Sequence, residues 1–178
     1  MNYTLEDIFQ TLDRRHTREV REKLWNARVG IGGIGGLGSH TAVALARAGI
    51  GRLHIVDDDE VDLSNIHRQA YFLRQVGKKK TEALTEIIND INPYIQVTAD
   101  CCRVTEENIP ELFAKDGIIC EAFDLAENKA AFVNGVLTSL PEAILVSGSG
   151  MAGCGDTNLI RTRRVAERFY ICGDEKNG

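Results

Sequence analysis

Several things are scarce in this chain of 178 residues. It holds three prolines, no internal repeat and no low-complexity block, which excludes a proline-rich linker and a repeat array. No apolar run approaches the roughly 18–20 residues of a membrane span, so none is expected. Residues 1–7 are polar and acidic, so no secretory signal is expected and the cytoplasm is the default location. Five cysteines (Cys101, Cys102, Cys120, Cys154 and Cys172) are odd in number and include no Cys-x-x-Cys pair. That speaks against a disulfide framework and against a four-cysteine zinc site, so no zinc is expected. Basic residues are outnumbered, 21 against 26, giving a net charge of −5. Such a balance does not suit a general nucleic-acid binder, and nucleic acid is not an expected partner.

What is present is ordinary for a globular chain: 43% hydrophobic and 26% charged residues, and enough length to bury a core unaided. The 17 glycines are the unusual count, and their placement matters.

Short apolar runs alternate with helical stretches, the signature of βαβ units. Residues 4–25 read as one helix capped by Thr4, with Glu6 and Asp7 in its first turn. Strands are expected at 28–32, 52–57, 95–99, 117–121 and 143–147. Helices are expected at 37–48, ended by Gly49, then at 78–90, at 105–114 with Thr105 as cap, and at 126–140. A glycine-rich loop follows at 148–155, then two short strands at 158–163 and 168–172. The fold class expected is α/β and Rossmann-like: a mostly parallel sheet, helices on both faces and an N-terminal helix. Residues 1–27 read as an N-terminal helical segment and 28–178 as the Rossmann-like domain. The connection 58–77 is too long for an ordinary turn and reads as functional.

Three places carry chemistry. Gly33-Ile34-Gly35-Gly36-Leu37-Gly38 is a G-x-G-x-x-G between a strand and a helix, where bare backbone and a helix N-terminus suit a phosphate. Asp57, 19 residues after Gly38, ends the next strand and suits ribose hydroxyls. This pair does not separate ATP from NAD. Residues 57–62 then hold five acids in six positions, whereas 63–81 hold none but contain Arg68, Arg74, Lys78, Lys79 and Lys80. A nicotinamide enzyme does not need those cations; a triphosphate with a departing pyrophosphate does. Lys78 and Lys79 read as a solvated helix start, and Arg68, between Asn65 and Gln69, as functional. Asp124 follows the fourth strand, at the edge where open α/β sheets bind ligands. It reads equally as a Mg²⁺ holder or as a helix cap. Cys154 and Cys172 lack a neighbouring base and read as incidental thiols. His16, His40, His54 and His67 show no metal spacing, and His54 reads as packing or surface.

Taken jointly, Gly33–Gly38, Asp57, Ser64-Asn65-Ile66-His67-Arg68-Gln69, Gly77-Lys78-Lys79-Lys80 and Asp124 resemble the ThiF/MoeB superfamily, relatives of the ubiquitin-activating enzymes. The stretch from Glu121 to Lys129, with residues 149–153 and Thr157-Asn158, is most similar to its short ThiF-type branch of thiamine biosynthesis. The resemblance implies ATP-dependent adenylylation of the C-terminal glycine of a ubiquitin-like sulfur carrier ending in Gly-Gly, with Mg²⁺ as cofactor. It implies Arg68, Lys80 and Asp124 as catalytic residues and Asp124 as the Mg²⁺ residue. The implied nucleotide set is Gly33, Gly35, Gly36, Gly38, Asp57, Asp59, Asn65, Arg68, Gln69, Lys80 and Asp124. It also implies a homodimer in which Arg18 reaches the partner's triphosphate.

The chain departs from the pattern in two ways. It lacks the two Cys-x-x-Cys pairs of MoeB-like members, and it stops at Gly178 where longer members continue, so it is either short or lacks a C-terminal part. Three other readings stand beside this one: an NAD-dependent oxidoreductase, a superfamily cousin acting on tRNA as a threonylcarbamoyladenosine dehydratase, and a nucleotide-binding scaffold without turnover.

Overall fold

A computed structural model describes residues 3–149 and 157–174. Two helices, α1 (Leu5–Asp13) and α2 (Arg18–Asn26), precede an alternating series: β1 (Arg28–Gly32), α3 (Gly36–Ala48), β2 (Arg52–Val56), α4 (Lys80–Ile91), β3 (Gln96–Asp100), α5 (Ile109–Leu112), β4 (Ile118–Glu121), α6 (Ala126–Ser139) and β5 (Ile144–Ser149). A hairpin of β6 (Arg161–Ala166) and β7 (Phe169–Gly173) follows. One seven-stranded sheet runs in the order β3-β2-β1-β4-β5-β7-β6. All neighbours pair in parallel except β6 with β7, so the expected Rossmann-like α/β architecture is what the chain forms. Strand order reverses between β1 and β4, which opens a crevice at the carboxyl ends of these strands.

The alternation of side chains along β1 explains how the two layers close on it. Val29 and Ile31 join Leu53 and Ile55 in a cluster with Ala42, Ala46, Leu84 and Ile88 of α3 and α4. Gly30 and Gly32 face the opposite side, where Phe113 and Phe132 belong to a second cluster with Ile119, Val136 and Leu145. The two rings meet edge to face, 5.2 Å between centroids. A Cβ at Gly30 would stand 2.5 Å from an Asp116 carboxylate oxygen and 3.0 Å from Phe113. Bare backbone is what lets this aromatic layer settle onto β1.

Several expectations need correction. The N-terminal helix is two helices, because Thr17 caps a second one through the Val20 N–H. Thr4 does cap the first, with a reciprocal bond from its own N–H to Asp7. Arg21 closes the hairpin by pairing with Asp13 at 2.9 Å and lying over the Phe9 ring. The helix expected at 105–114 shrinks to Ile109–Leu112. Pro110 sits in its first turn, where its missing N–H does no harm, and Thr105 instead donates its N–H to Asn108 in the preceding turn. Helix α4 starts at Lys80, not Lys78, because Lys79 bridges in extended form to Glu60. The last two strands lie later than expected, residues 157–159 forming a single 3-10 turn. The loop residues 150–155, Cys154 among them, lie outside the described residues. Among the described residues, no helix is long and apolar enough to cross a membrane.

Two outcomes follow from this packing. Gly30→Ala is expected to destabilise the protein by about 1–3 kcal/mol through overpacking, read from a urea unfolding midpoint. Asp7 and Asp13 are held below the ordinary carboxyl value of 3.8 by their bonds to Thr4 and Arg21. Their contribution is therefore present above that value and lost as pH falls through the lowered folded values. Amide exchange in α1 and α2 should accelerate, relative to the sheet, as pH drops below about 4 once intrinsic rates are divided out.

Candidate nucleotide site at the carboxyl edge of the sheet

The glycine loop leaves β1 through Gly33, whose φ of +81° suits only glycine, and enters α3 with Gly35 as a cap that supplies no side-chain bond. Gly38 is demanded by contact: a Cβ there would fall 1.9 Å from the Gly33 carbonyl oxygen. Gly35 and Gly36 are different. A Cβ at Gly35 would meet only Gln69 Nε2 at 3.7 Å, and one at Gly36 only Arg68, at 3.8 Å and beyond. The protein's own packing gives no reason for glycine at these two positions. They leave an open cradle beside the uncapped N–H groups of a 13-residue helix, the environment that suits phosphate.

Asp57 is buried and holds this loop in place. One carboxylate oxygen accepts the Ile34 N–H at 2.8 Å, and the other accepts the Asp59 N–H at 2.9 Å. Burial pushes its carboxyl up, against the opposing pull of these two N–H groups and of Lys80 at 3.8 Å. Asp59 is exposed and pairs with the buried Lys80 at 2.6 Å. Asp57, Asp58 and Asp59 are the one acidic group among the described residues close enough to share an ion. Two of the three are already occupied by N–H groups and Lys80, so they do not form a free metal set.

The 58–77 connection folds back onto the loop. Val61 exchanges backbone bonds with Lys78 and Gly77, and Lys80 N–H reaches Asp59, so the two ends are stitched together. Tyr71 is buried and donates its hydroxyl to the Ile34 carbonyl at 2.7 Å. Gln69 is buried against Gly35, and its side-chain oxygen has no hydrogen-bond partner. A buried acceptor left in this state is costly unless a further group completes it. Asn65 spends its amide oxygen on the Asp62 N–H.

Of the five lysines and arginines in residues 63–81, four have carboxylate partners. Lys78 pairs with Glu86, Lys79 with Glu60, Lys80 with Asp59 and Arg74 with Asp90. Among the described residues Arg68 has none; its guanidinium reaches the Ser64 carbonyl, and it stands beside Gly36. It is the cation with charge to spare at the cradle. Asp124 is exposed beyond β4 and, among the described residues, has no hydrogen bond or ion pair. The helix-cap reading fails for it, because Leu125 occupies the cap position of α6 without a side-chain bond. A lone carboxylate at this edge has the donor chemistry of a Mg²⁺ residue that shares the ion with phosphate oxygens. Arg18 pairs with Glu22 on its own helix, and no bond joins it to these residues.

One network escaped the sequence reading. Glu121 is buried and accepts two bonds from Lys129 at 2.7 and 2.8 Å, the Ser147 hydroxyl and the Phe123 N–H. Lys129 also donates to the Gly148 carbonyl at 2.8 Å. An acid within the apolar run Ile118-Ile119-Cys120-Glu121, with a lysine eight residues on, was the available signal.

Comparison with known proteins identifies the family. A family model described as the ThiF family matches residues 10–164. The chain is 42% identical over 97 residues to a tRNA threonylcarbamoyladenosine dehydratase of Bacillus subtilis, covering 54% of this chain and 38% of that protein. It is 29% identical over 153 residues to the sulfur carrier protein ThiS adenylyltransferase of Escherichia coli, covering 85% and 60%. It thus spans less than two thirds of the length of these curated relatives. Among solved structures, the E. coli tRNA N6-threonylcarbamoyladenosine dehydratase in complex with AMP superposes with a TM-score of 0.83 at 29% identity, covering 94% of this chain and 69% of that one. The same enzyme in complex with ATP gives a TM-score of 0.87 at 24% identity, covering 99% and 85%.

The two kinds of glycine predict opposite behaviour. Gly38→Ala should destabilise the fold by about 1–3 kcal/mol or more, since a backbone must move. Gly36→Ala should leave the urea midpoint nearly unchanged yet weaken ATP binding at least about tenfold, read by calorimetry.

Proposed function

The chain belongs to the ThiF family, and on that premise we propose that it transfers the adenylyl group of ATP to the C-terminal glycine carboxylate of a ubiquitin-like sulfur carrier protein. The observation that carries this reading is the cradle itself: Gly35 and Gly36 bare without a packing cause, beside Arg68, which has no acidic partner among the described residues. Residues 28–178 supply the adenylylation domain, and 1–27 an appended helical segment.

The roles divide by position. The loop from Gly33 to Gly38 lies along the phosphates. Asp57, whose two oxygens each accept one backbone N–H and keep a second lone pair, takes the ribose hydroxyls together with the exposed Asp59. Asn65, with a free amide NH₂, Arg68 and Gln69 face the phosphate oxygens. Lys80 moves its charge from Asp59 toward the α-phosphate. Asp124 holds Mg²⁺, which supplies charge neutralisation at the phosphate oxygens when bound. An oxygen of the carrier carboxylate attacks the α-phosphorus in line; the bond to the bridging oxygen of pyrophosphate breaks, and pyrophosphate leaves with that electron pair. A C-terminal carboxylate is ionised near neutral pH, so no general base is needed. The residues act by positioning and charge stabilisation alone, which suits a site without a Ser/His/Asp set. A second copy of the chain supplies Arg18, which its own fold leaves exposed.

A second reading, action on a tRNA nucleoside, draws on the 42% identity to the B. subtilis dehydratase. The net charge of −5 weighs against it. ATP–pyrophosphate exchange separates the two. Exchange stimulated by a Gly-Gly-ended carrier supports carrier adenylylation, and exchange stimulated by tRNA alone supports the dehydratase reading. Arg68→Ala and Asp124→Ala should each lower the exchange rate by roughly 10²–10³ while leaving the fold intact. Wild-type exchange in either variant would remove that residue from its role.

A further inference from the structure

The amino ends of the central strands carry a second concentration of charge. β1 opens with Arg28 and β2 with Arg52, and the two stand in register as neighbours across the parallel pair. Like charges side by side on adjacent strands repel. A groove of about 600 Å³ opens here, lined also by Asn26, Lys115, Gly117 and Ile118. The acid that serves it is Asp116, whose side chain is wholly buried. Its two oxygens are taken by Arg28 Nε and His54 Nδ1, each at 2.6 Å. Arg52 donates to the carbonyl of Asn26, the last residue of α2, and that helix end offers only about half a negative charge. Lys115 is exposed and, among the described residues, has no hydrogen bond or ion pair. Among the described residues, three cations therefore line the groove against one acid, and that acid is shared with a histidine.

Gly117 adds an independent observation. A Cβ built on it would meet nothing within 4 Å, and its φ is not in the left-handed range. Neither packing nor backbone conformation requires glycine there, and its bareness leaves the groove open. The groove is also remote from the nucleotide edge. Arg28 begins the strand that Gly33 follows, and Arg52 the strand that Asp57 follows. Five strand residues separate the two ends by about 17 Å, so one nucleotide cannot fill both.

We propose that this groove binds a small phosphate-bearing anion, at a site separate from the nucleotide edge. Arg28 spends Nε on Asp116 and Nη1 on Thr98, and Arg52 spends Nη2 on the Asn26 carbonyl, so each has N–H groups left for phosphate oxygens, and Lys115 adds a mobile point charge. In a chain of net charge −5, such a groove is a local positive focus that draws an anion in.

The test uses the full chain with its nucleotide site saturated by a non-hydrolysable ATP analogue. Inorganic phosphate and ribose 5-phosphate are each titrated by calorimetry at low salt. One-to-one binding is expected, weakened by added salt. Equal affinity for the two identifies free phosphate as the occupant, and tighter binding of the ester identifies a phosphate ester; either supports the proposal. Lys115→Gln should weaken binding about tenfold. Gly117→Leu, which fills the groove without removing a charge, should abolish it. Affinity for the ATP analogue and the urea midpoint should stay unchanged in both variants. No binding to the wild type up to about 10 mM, a range that already spans weak anion sites, overturns the proposal, as does binding that survives both variants or vanishes when the analogue is present.

Discussion

The carboxylate of Asp57 joins three segments that the chain would otherwise hold apart. It takes the Ile34 N–H from the glycine loop and the Asp59 N–H from the start of the long connection, and it stands 3.8 Å from Lys80 at the head of α4. Tyr71 adds a second tie between the connection and the loop through the Ile34 carbonyl. Burial disfavours the charged form of Asp57, and the N–H groups and the lysine offset that penalty. The result is a loop whose open N–H groups are fixed before any ligand arrives. Preorganisation of this kind is what makes dipoles effective against a developing phosphate charge.

The other half of the crevice is fixed by a comparable device. Glu121, Lys129 and Ser147 tie the carboxyl ends of β4 and β5 to α6, and Asp124 projects from the short segment between them. Below both devices the sheet is gripped by unlike layers. An aliphatic layer meets Val29 and Ile31, and an aromatic layer settles on Gly30 and Gly32. The glycines of β1 thus serve packing, whereas Gly35 and Gly36 have no neighbour that demands glycine. The distinction rests on what an added Cβ would meet.

Much of this was legible in the sequence because it depends on local pattern. The apolar runs of β1, β2, β4 and β5, Gly49 after α3 and the glycine loop all follow from periodicity and backbone freedom. Misplaced elements came from competing local rules. Thr17 caps a second helix where composition suggests one, and Pro110 delays α5. Charge alone singles out Arg68 among its neighbours in the sequence, and Lys78 and Lys79 are paired with carboxylates in the structure. The site could not be resolved where burial decides. Asp57 and Asp59 are equivalent acids in the sequence, yet one is a buried clamp and the other an exposed acceptor. His54 reads as packing or surface, whereas it is buried with both ring nitrogens bonded to carboxylates, those of Asp100 and Asp116. Such pairings across 46 and 62 residues leave no local trace.

The central claim is that the cradle at the carboxyl edge is built for a triphosphate and not for a dinucleotide. Equilibrium titration of the full chain with MgATP, followed by challenge with NADH, tests it most directly. The account predicts one ATP site per chain, weakened by Arg68→Ala and not displaced by NADH. Tight NADH binding without ATP binding would contradict it and leave the cations of the 58–77 connection without a purpose.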